Sequence, residues 1–313
     1  MLYCKQTDAE LGVDVQFKMR RRKSFPIKNE KGKTIANSGI CRDITSLKKA
    51  NKTIYEQNIQ IGQSILYAKR LQESVLPSKK TLTTLFPNSF ALYRPKDVVS
   101  GDFYIVDSII ENEHNSICSF IVGDCTGHGV PGAVLSLMCN VLVRESFVQK
   151  DVHSPSQALD FTSKRLAKFF SLHKEQVIRD GMDIAYCVLN KKTNKLYFSG
   201  ANNPCIIVRN GNITEYKGEK QHVGFNETFK PFTTKVIDVQ KDDCIYLFSD
   251  GYIDQFGGEK IKKFSRKRFY QLLSEISHLP MSEVGDILNY KFIEWKKGFE
   301  QIDDVTVLGI KIE

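Results

Sequence analysis

Residues 98–133 read VVSGDFYIVDSIIENEHNSICSFIVGDCTGHGVPGA. Two apolar runs, Gly101 to Ile110 and Ile117 to Asp124, have strand length and flank a polar turn at Glu111 to Ser116. Asp102 opens the first run behind Ser100-Gly101, and Asp124 closes the second ahead of a Gly-rich segment. Two carboxylates on neighbouring strands, with small residues around them, can share a hard cation, because Mg²⁺ and Mn²⁺ prefer oxygen ligands. Two more acidic turns lie far downstream, at Ser249-Asp250-Gly251 and at Asp303-Asp304. The first ends the apolar run Ile245 to Phe248, and the second precedes Val305 to Leu308. An Asp before Gly, taken alone, usually makes a turn. The set, in this order and at strand ends, predicts that distant aspartates converge on Asp102 and Asp124.

Outward from this stretch, Phe90 to Tyr93 reads as a short strand. Residues 132–147 are apolar at helical spacing, and Ser154-Pro155 opens a second helix reaching about Ser171. Strands are predicted at 183–190, 195–201, 204–209, 232–239, 243–248 and 305–312, with helices near 266–277 and 281–296. Asn210-Gly211-Asn212 marks a hairpin turn. Strands and helices come in blocks rather than in alternation, which predicts an α+β layered fold.

The N-terminal part differs. A hairpin is predicted over 11–41 around the turn Asn29 to Lys33. Its segment PIKNEKGKTIANSGICRDIT resembles the C-terminal end of a PAS sensor domain, as a fragment over residues 1–43. A long helix follows over 44–77, with Thr45 as N-cap and Pro77 as terminator. Leu47, Ile54, Ile61, Ala68 and Val75 recur every seven residues, but the second heptad seam is poor. Two readings stand: a signalling helix that forms a homodimer through residues 44–75, or a helix packed on the domain at 78–313.

Composition narrows the class. The 313 residues are 41% hydrophobic and 26% charged, as in ordinary globular chains. No uninterrupted apolar run of membrane length and no signal-peptide core appears, so a cytoplasmic location without a membrane span is the default expectation. The net charge of +9 lies entirely in the first 80 residues, so it does not outline a nucleic-acid surface. The eight cysteines form no CxxC pair and read as buried free thiols rather than a zinc site. Cys125 stands apart, since it follows Asp124 directly.

SGDFY, GDCTGHGVPGA, SGANNP, SDGYIDQFGG and DDVT, in that order, resemble the SpoIIE/RsbU-type branch of the metal-dependent PPM (protein phosphatase 2C) family. LQESVLPS and YRPKDVVSGDFY belong to the same pattern. The resemblance implies a four-layer α-β-β-α sandwich over residues 78–313 with two Mn²⁺ or Mg²⁺ ions between its sheets. It implies hydrolysis of phosphoserine or phosphothreonine on a regulatory protein, such as an anti-sigma-factor antagonist, by a metal-bound hydroxide. Carried onto this chain, Asp124 bridges both metals, the Cys125 carbonyl binds one, Asp250 and Asp303 hold the other, and Asp102 coordinates directly or through water. Asp304 takes a lesser role, and Gly127, Gly129 and Gly132 allow close backbone approach.

Other positions carry weaker expectations. His128 reads as a loop histidine bonded to backbone before it reads as a general acid. Arg94 reads as a surface arginine before a phosphate ligand, and Asp183 as a strand-start residue before a third-metal ligand. His222 is assigned no chemistry. The basic stretch 259–268, EKIKKFSRKR, suits either a flap that steers an acidic partner or a solvated helix start. A catalytically weak signalling scaffold and a nucleotide cyclase remain as competing readings. The full set of aspartates argues against the first, and the lack of a Walker loop or purine motif against the second.

Overall fold

The computed structural model describes residues 20–108, 117–149, 154–171, 180–226 and 228–313. The chain divides into two units, residues 1–64 and 65–313. In the first, β1 (Arg20–Lys28) and β2 (Thr34–Asp43) form an antiparallel hairpin. Its turn is held by Asn29, whose Oδ1 accepts the N–H groups of Lys31 and Lys33, and Gly32 takes a positive φ of 76°. The expected strand residues 11–19 and the polar turn at 111–116 lie outside the described residues. Helix α1 (Thr45–Val75) follows. Asp43 Oδ1, two residues before Thr45, accepts the Thr45 N–H at 2.9 Å where the helix begins. The heptad residues Leu47, Ile54 and Ile61 are each more than half exposed.

In the second unit, α2 (Lys79–Leu85) is N-capped by Ser78. After it come β3 (Ser89–Arg94), β4 (Asp102–Ser108), β5 (Ile117–Cys125), α3 (Gly129–Phe147) and α4 (Pro155–Ser171). Next are β6 (Gly181–Asn190), β7 (Lys195–Ala201), β8 (Cys205–Arg209), β9 (Asn212–Tyr216), β10 (Val223–Gly224), β11 (Lys235–Asp238) and β12 (Cys244–Phe248). The chain ends with α5 (Gly251–Asp254), β13 (Phe256–Gly257), β14 (Lys262–Lys263), α6 (Arg266–Ile276), α7 (Met281–Trp295) and β15 (Val305–Lys311). Asn210 and Gly211 both take positive φ at the β8–β9 turn, as a two-residue hairpin requires.

Two sheets result. One has the order β11-β7-β6-β5-β4 with β10 added on β6, and the other β3-β15-β12-β8-β9. Three apolar clusters make four layers of them. Between the sheets lie Phe120, Val122, Ala185, Cys187, Phe198, Ile207, Leu247 and Leu308. Helices α3 and α4 cover the first sheet through Leu135, Cys139, Leu142, Leu159 and Leu166 against Ile105, Ile121 and Ile184. Helices α6 and α7 cover the second through Phe269, Leu273, Leu288 and Phe292 against Tyr246, Phe248 and Val307. This is the α-β-β-α sandwich. Each fully buried Leu or Phe contributes roughly 1.5–3 kcal/mol. Helix α3 is long and apolar enough to cross a membrane, but half of that window is buried in the protein.

The period of two along a strand now places the acidic residues. In β5, Cys118, Phe120 and Val122 face the inter-sheet core, and Asp124 continues that face. In β4, Val106 faces the same core, and Asp102 has its parity; in β6, Ala185 and Cys187 do, and Asp183 matches them.

Candidate metal centre between the two sheets

Asp102 pairs in register with Asp124, and Asp124 with Asp183, so three carboxylates stand in one rank across β4, β5 and β6. The opposite sheet brings Asp250 at the end of β12 and Asp303 just before β15, strands that pair with each other. Asp124, Asp183, Asp250 and Asp303 line one cavity of about 250 Å³, together with Cys125, Thr126, Gly127, His128, Met182 and His222. Asp250 and Asp303 thus line the cavity beside Asp124 and Asp183, while Asp102 stands outside its lining.

Their charges are expensive where they sit. Burial, and after it repulsion from Asp102, Asp250, Asp303 and Asp183, holds the Asp124 carboxyl well above the usual carboxylate range. Burial and the neighbouring Asp303 push Asp250 to about 6. Burial raises Asp183 against a 2.7 Å hydrogen bond donated by Asn202 Nδ2. Asp102 differs. It is buried, does not line the cavity, and accepts a 2.6 Å hydrogen bond from Ser249 Oγ across the two sheets. Burial takes it to about 7 despite that bond.

Asp304 is turned inward and accepts the N–H groups of Lys96 and Gly101, each at 2.7 Å. It fastens the segment leading to Asp102. Gly101 is required there, because a Cβ would stand 2.5 Å from the Gly127 carbonyl oxygen and 3.2 Å from that of Cys125. Gly127 and Gly129 take positive φ, and Gly132 packs on the Gly127 carbonyl as α3 begins. The Cys125 thiol lies in the core against α3, where burial and Cys139 keep it protonated.

Among the described residues no three His, Cys, Asp or Glu side chains are gathered tightly enough to close a metal cage. The donor set still fits hard divalent cations in kind. It offers several oxygen donors around one cavity, and their mutual repulsion calls for positive charge.

The remaining expectations divide. His128 does line the cavity, but its partners are side chains rather than backbone: Nδ1 lies 2.9 Å from Asp97 Oδ2, and Nε2 lies 3.0 Å from Lys96 Nζ. Arg94 does not line it. Its Nη1 donates to Asn289 Oδ1, and its guanidinium lies over Phe292. His222 and Asn202 were missed as site residues, although Asn202 sits in the SGANNP motif. In the basic stretch, β13 and β14 form a small hairpin. Lys263 pairs with Asp254, Arg266 with Glu215, and Arg268 lies over Trp295. Lys263 reaches Asp254, in the short helix that follows Asp250, at 2.7 Å, which puts this flap beside the Asp250 turn.

Residues 116–313 match the family described as Stage II sporulation protein E (SpoIIE). The chain belongs to the SpoIIE family. A PPM Ser-Thr phosphatase from Mycobacterium smegmatis shares the fold at 13% identity and a TM-score of 0.51, over 73% of this chain and 99% of that one. The SiaA-PP2C domain of Pseudomonas aeruginosa is similar at 26% identity and a TM-score of 0.73, covering 82% of this chain and 99% of that one. The phosphatase domain and regulatory fragment of SpoIIE from Bacillus subtilis match at 17% identity and a TM-score of 0.58, over 72% and 63% of the two chains. The RsbU and RsbW domains of a Mycobacterium tuberculosis protein match at 16% and 0.57, over 71% and 59%. The last two share the fold. No curated protein sequence matches the chain. The SpoIIE match begins at the strand that carries Asp124 and includes Asp183, Asp250 and Asp303, whereas Asp102 lies outside it.

Proposed function

We propose that this chain hydrolyses phosphoserine or phosphothreonine on a regulatory protein, in a reaction that requires Mn²⁺ or Mg²⁺. The observation that carries the proposal is the rank Asp102-Asp124-Asp183, of which Asp124 and Asp183 line one cavity together with Asp250 and Asp303. Asp124 stands centrally among the groups that would hold the ions. Asp250, Asp303 and the Cys125 carbonyl would hold them with it, and Asp102 would support them from behind. When bound, such ions activate a water and neutralise phosphoryl charge. The chain's own residues fix where this happens. The apolar layer of Phe120, Val122 and Leu247 closes the inner end against water. Strand ends hold Asp124 and Asp250 rigidly. His128, tethered by Asp97, stands at the rim, where a phosphorylated side chain enters.

The test is hydrolysis of p-nitrophenyl phosphate and a phosphoserine peptide with and without Mn²⁺. Activity is expected only with the metal, and Mn²⁺ at a hundred times its Kd should add about 2.7 kcal/mol of stability, seen as a higher Tm. Binding of a phosphoprotein with no metal-dependent turnover would favour the scaffold reading instead, and metal-independent activity would refute the metal requirement.

The substrate is read as a phosphorylated partner-switching regulator, such as an anti-sigma-factor antagonist. The pairing of RsbU with RsbW domains in the similar mycobacterial structure supports this. Control is assigned to the N-terminal helix, with residues 1–43 as a PAS fragment and 44–77 as linker. The exposed Leu47, Ile54 and Ile61 support a second copy of the chain as the partner of that helix. Ile54→Lys with Ile61→Lys should then lower the mass seen in sedimentation from dimer to monomer; a wild-type chain that is already monomeric at tens of micromolar refutes the dimer.

A further inference from the structure

A second cavity, of about 480 Å³, shares no lining residue with the carboxylate cavity. All six residues of β3, Ser89 to Arg94, line it. Successive residues of a strand point to opposite faces. A cavity that touches every one of them therefore runs along the edge of the strand rather than over either face. Among the described residues that edge has no neighbouring strand, since β3 is the last in its sheet and pairs only with β15. Leu82 and Thr83 of α2 form one wall, and Gly285 and Asn289 of α7 the other. Helices commonly cover an exposed edge, but here they flank it and leave a groove.

The groove is also unbalanced in charge. Its lining holds Lys79 and Arg94 against one acidic residue, Asp286. Arg94 closes the strand, with its Nη1 donating to Asn289 Oδ1 at 2.8 Å and its guanidinium over Phe292. Its Nε is buried without a hydrogen-bond partner, and among the described residues no carboxylate pairs with Arg94 or Lys79. A guanidinium edge matches a carboxylate through two parallel N–H···O bonds. A buried donor left without an acceptor is costly, so this end of the groove calls for an anion.

We propose that the groove takes an extended acidic segment of a partner protein, which adds to β3 as a further strand and sets a carboxylate on Arg94. Main-chain hydrogen bonds to the strand edge hold such a segment, and the side chains beside it select the sequence. The two cations mark where acidic residues fall. Because the two cavities share no residue, docking here stands apart from the reaction proposed above.

The test is titration calorimetry of the full chain with a capped heptapeptide, Glu-Thr-Val-Thr-Val-Thr-Glu, as probe. A copy with glutamine at both ends, and the original peptide on Arg94→Met, should each bind about tenfold more weakly. Lys79→Met, at the exposed start of α2, should act in the same direction, and it decides the charge requirement if Arg94→Met does not fold. Two further copies carry N-methyl groups on alternate residues, one on the odd set and one on the even. A strand bonds to its neighbour through every second residue, so one copy should lose binding and the other keep it. Equal effects of the two methylations overturn strand addition. Binding unchanged by both charge variants, or absent at about 1 mM peptide, overturns the groove as a docking site. Hydrolysis of p-nitrophenyl phosphate by the wild-type chain is measured separately, so the phosphatase reading stands or falls on its own result.

Discussion

Asp124→Asn is expected to abolish hydrolysis while making the metal-free chain more stable. The two effects have one origin. Asp124 is the central member of the rank, flanked in register by Asp102 and Asp183 and faced by Asp250 and Asp303. Removing its charge relieves repulsion from all four neighbours in a site where burial already disfavours the ionised form. Asparagine has nearly the same shape, so the packing around residue 124 is retained. For a chain of this size each kcal/mol of relief should raise the metal-free Tm by about 2–4 °C. Catalysis moves the other way. Groups that merely orient metal ligands cost 10–100-fold when removed, so loss of the bridging ligand should cost at least about a thousandfold in kcat/KM. Thermal melts in chelator and Mn²⁺-dependent assays check the two halves separately. An inactive variant with an unchanged or lower metal-free Tm would mean that Asp124 is not the focus of the repulsion. An active one would remove it from the site.

Gly251→Ala should be nearly as damaging as Asp250→Ala, although it adds only a methyl group. The glycine lies where the Asp250 turn presses on the Asp303-Asp304 turn. A Cβ there would collide with the Asp304 carbonyl and come within 3.3 Å of Asp303 Cβ. Both contacts are rigid, since Asp304 is fixed by Lys96 and Gly101 and its turn runs directly into β15. Overpacking of this kind costs about 1–3 kcal/mol in stability, sometimes more. Relief can come only by parting the two turns, which separates Asp250 from Asp303. A fall of a hundredfold or more in kcat/KM is expected, since a displacement of about 1 Å at a reacting site can cost that much. Activity within about threefold of wild type would show that the two turns need not touch.

Much of this architecture is legible in the chain itself. The strand ends at Asp102, Asp124 and Asp250 follow from apolar runs of fixed length, and blocks of strands followed by helices give the layers. What stayed hidden has physical reasons. Helix α2, KKTLTTL, is too short and too polar to show a helical period, and is defined by the Ser78 cap. Strands β13 and β14 are two residues each, below any periodic signal. His222 reaches the cavity, and Asn202 reaches Asp183, from turns, where no rule of alternation says which way a side chain points. The different standing of Asp102 was visible only as a lesser weight. Its reason is long-range: Ser249, 147 residues away, takes the carboxylate inward.

The Asp102–Ser249 hydrogen bond joins two sheets whose ladders run entirely within themselves. The aspartates thus sit astride a seam. Main-chain bonds resist stretching along each sheet, but the bonds across the gap run through side chains, as from Tyr93 to the Asp102 carbonyl and from Asp304 to the Gly101 N–H. A small slide of one sheet over the other changes the span from Asp124 to Asp250 without breaking a ladder bond. The gauge of the site is therefore set by the thickness of the apolar filling, by the girth of Phe120, Leu247 and Leu308, as much as by the carboxylates themselves.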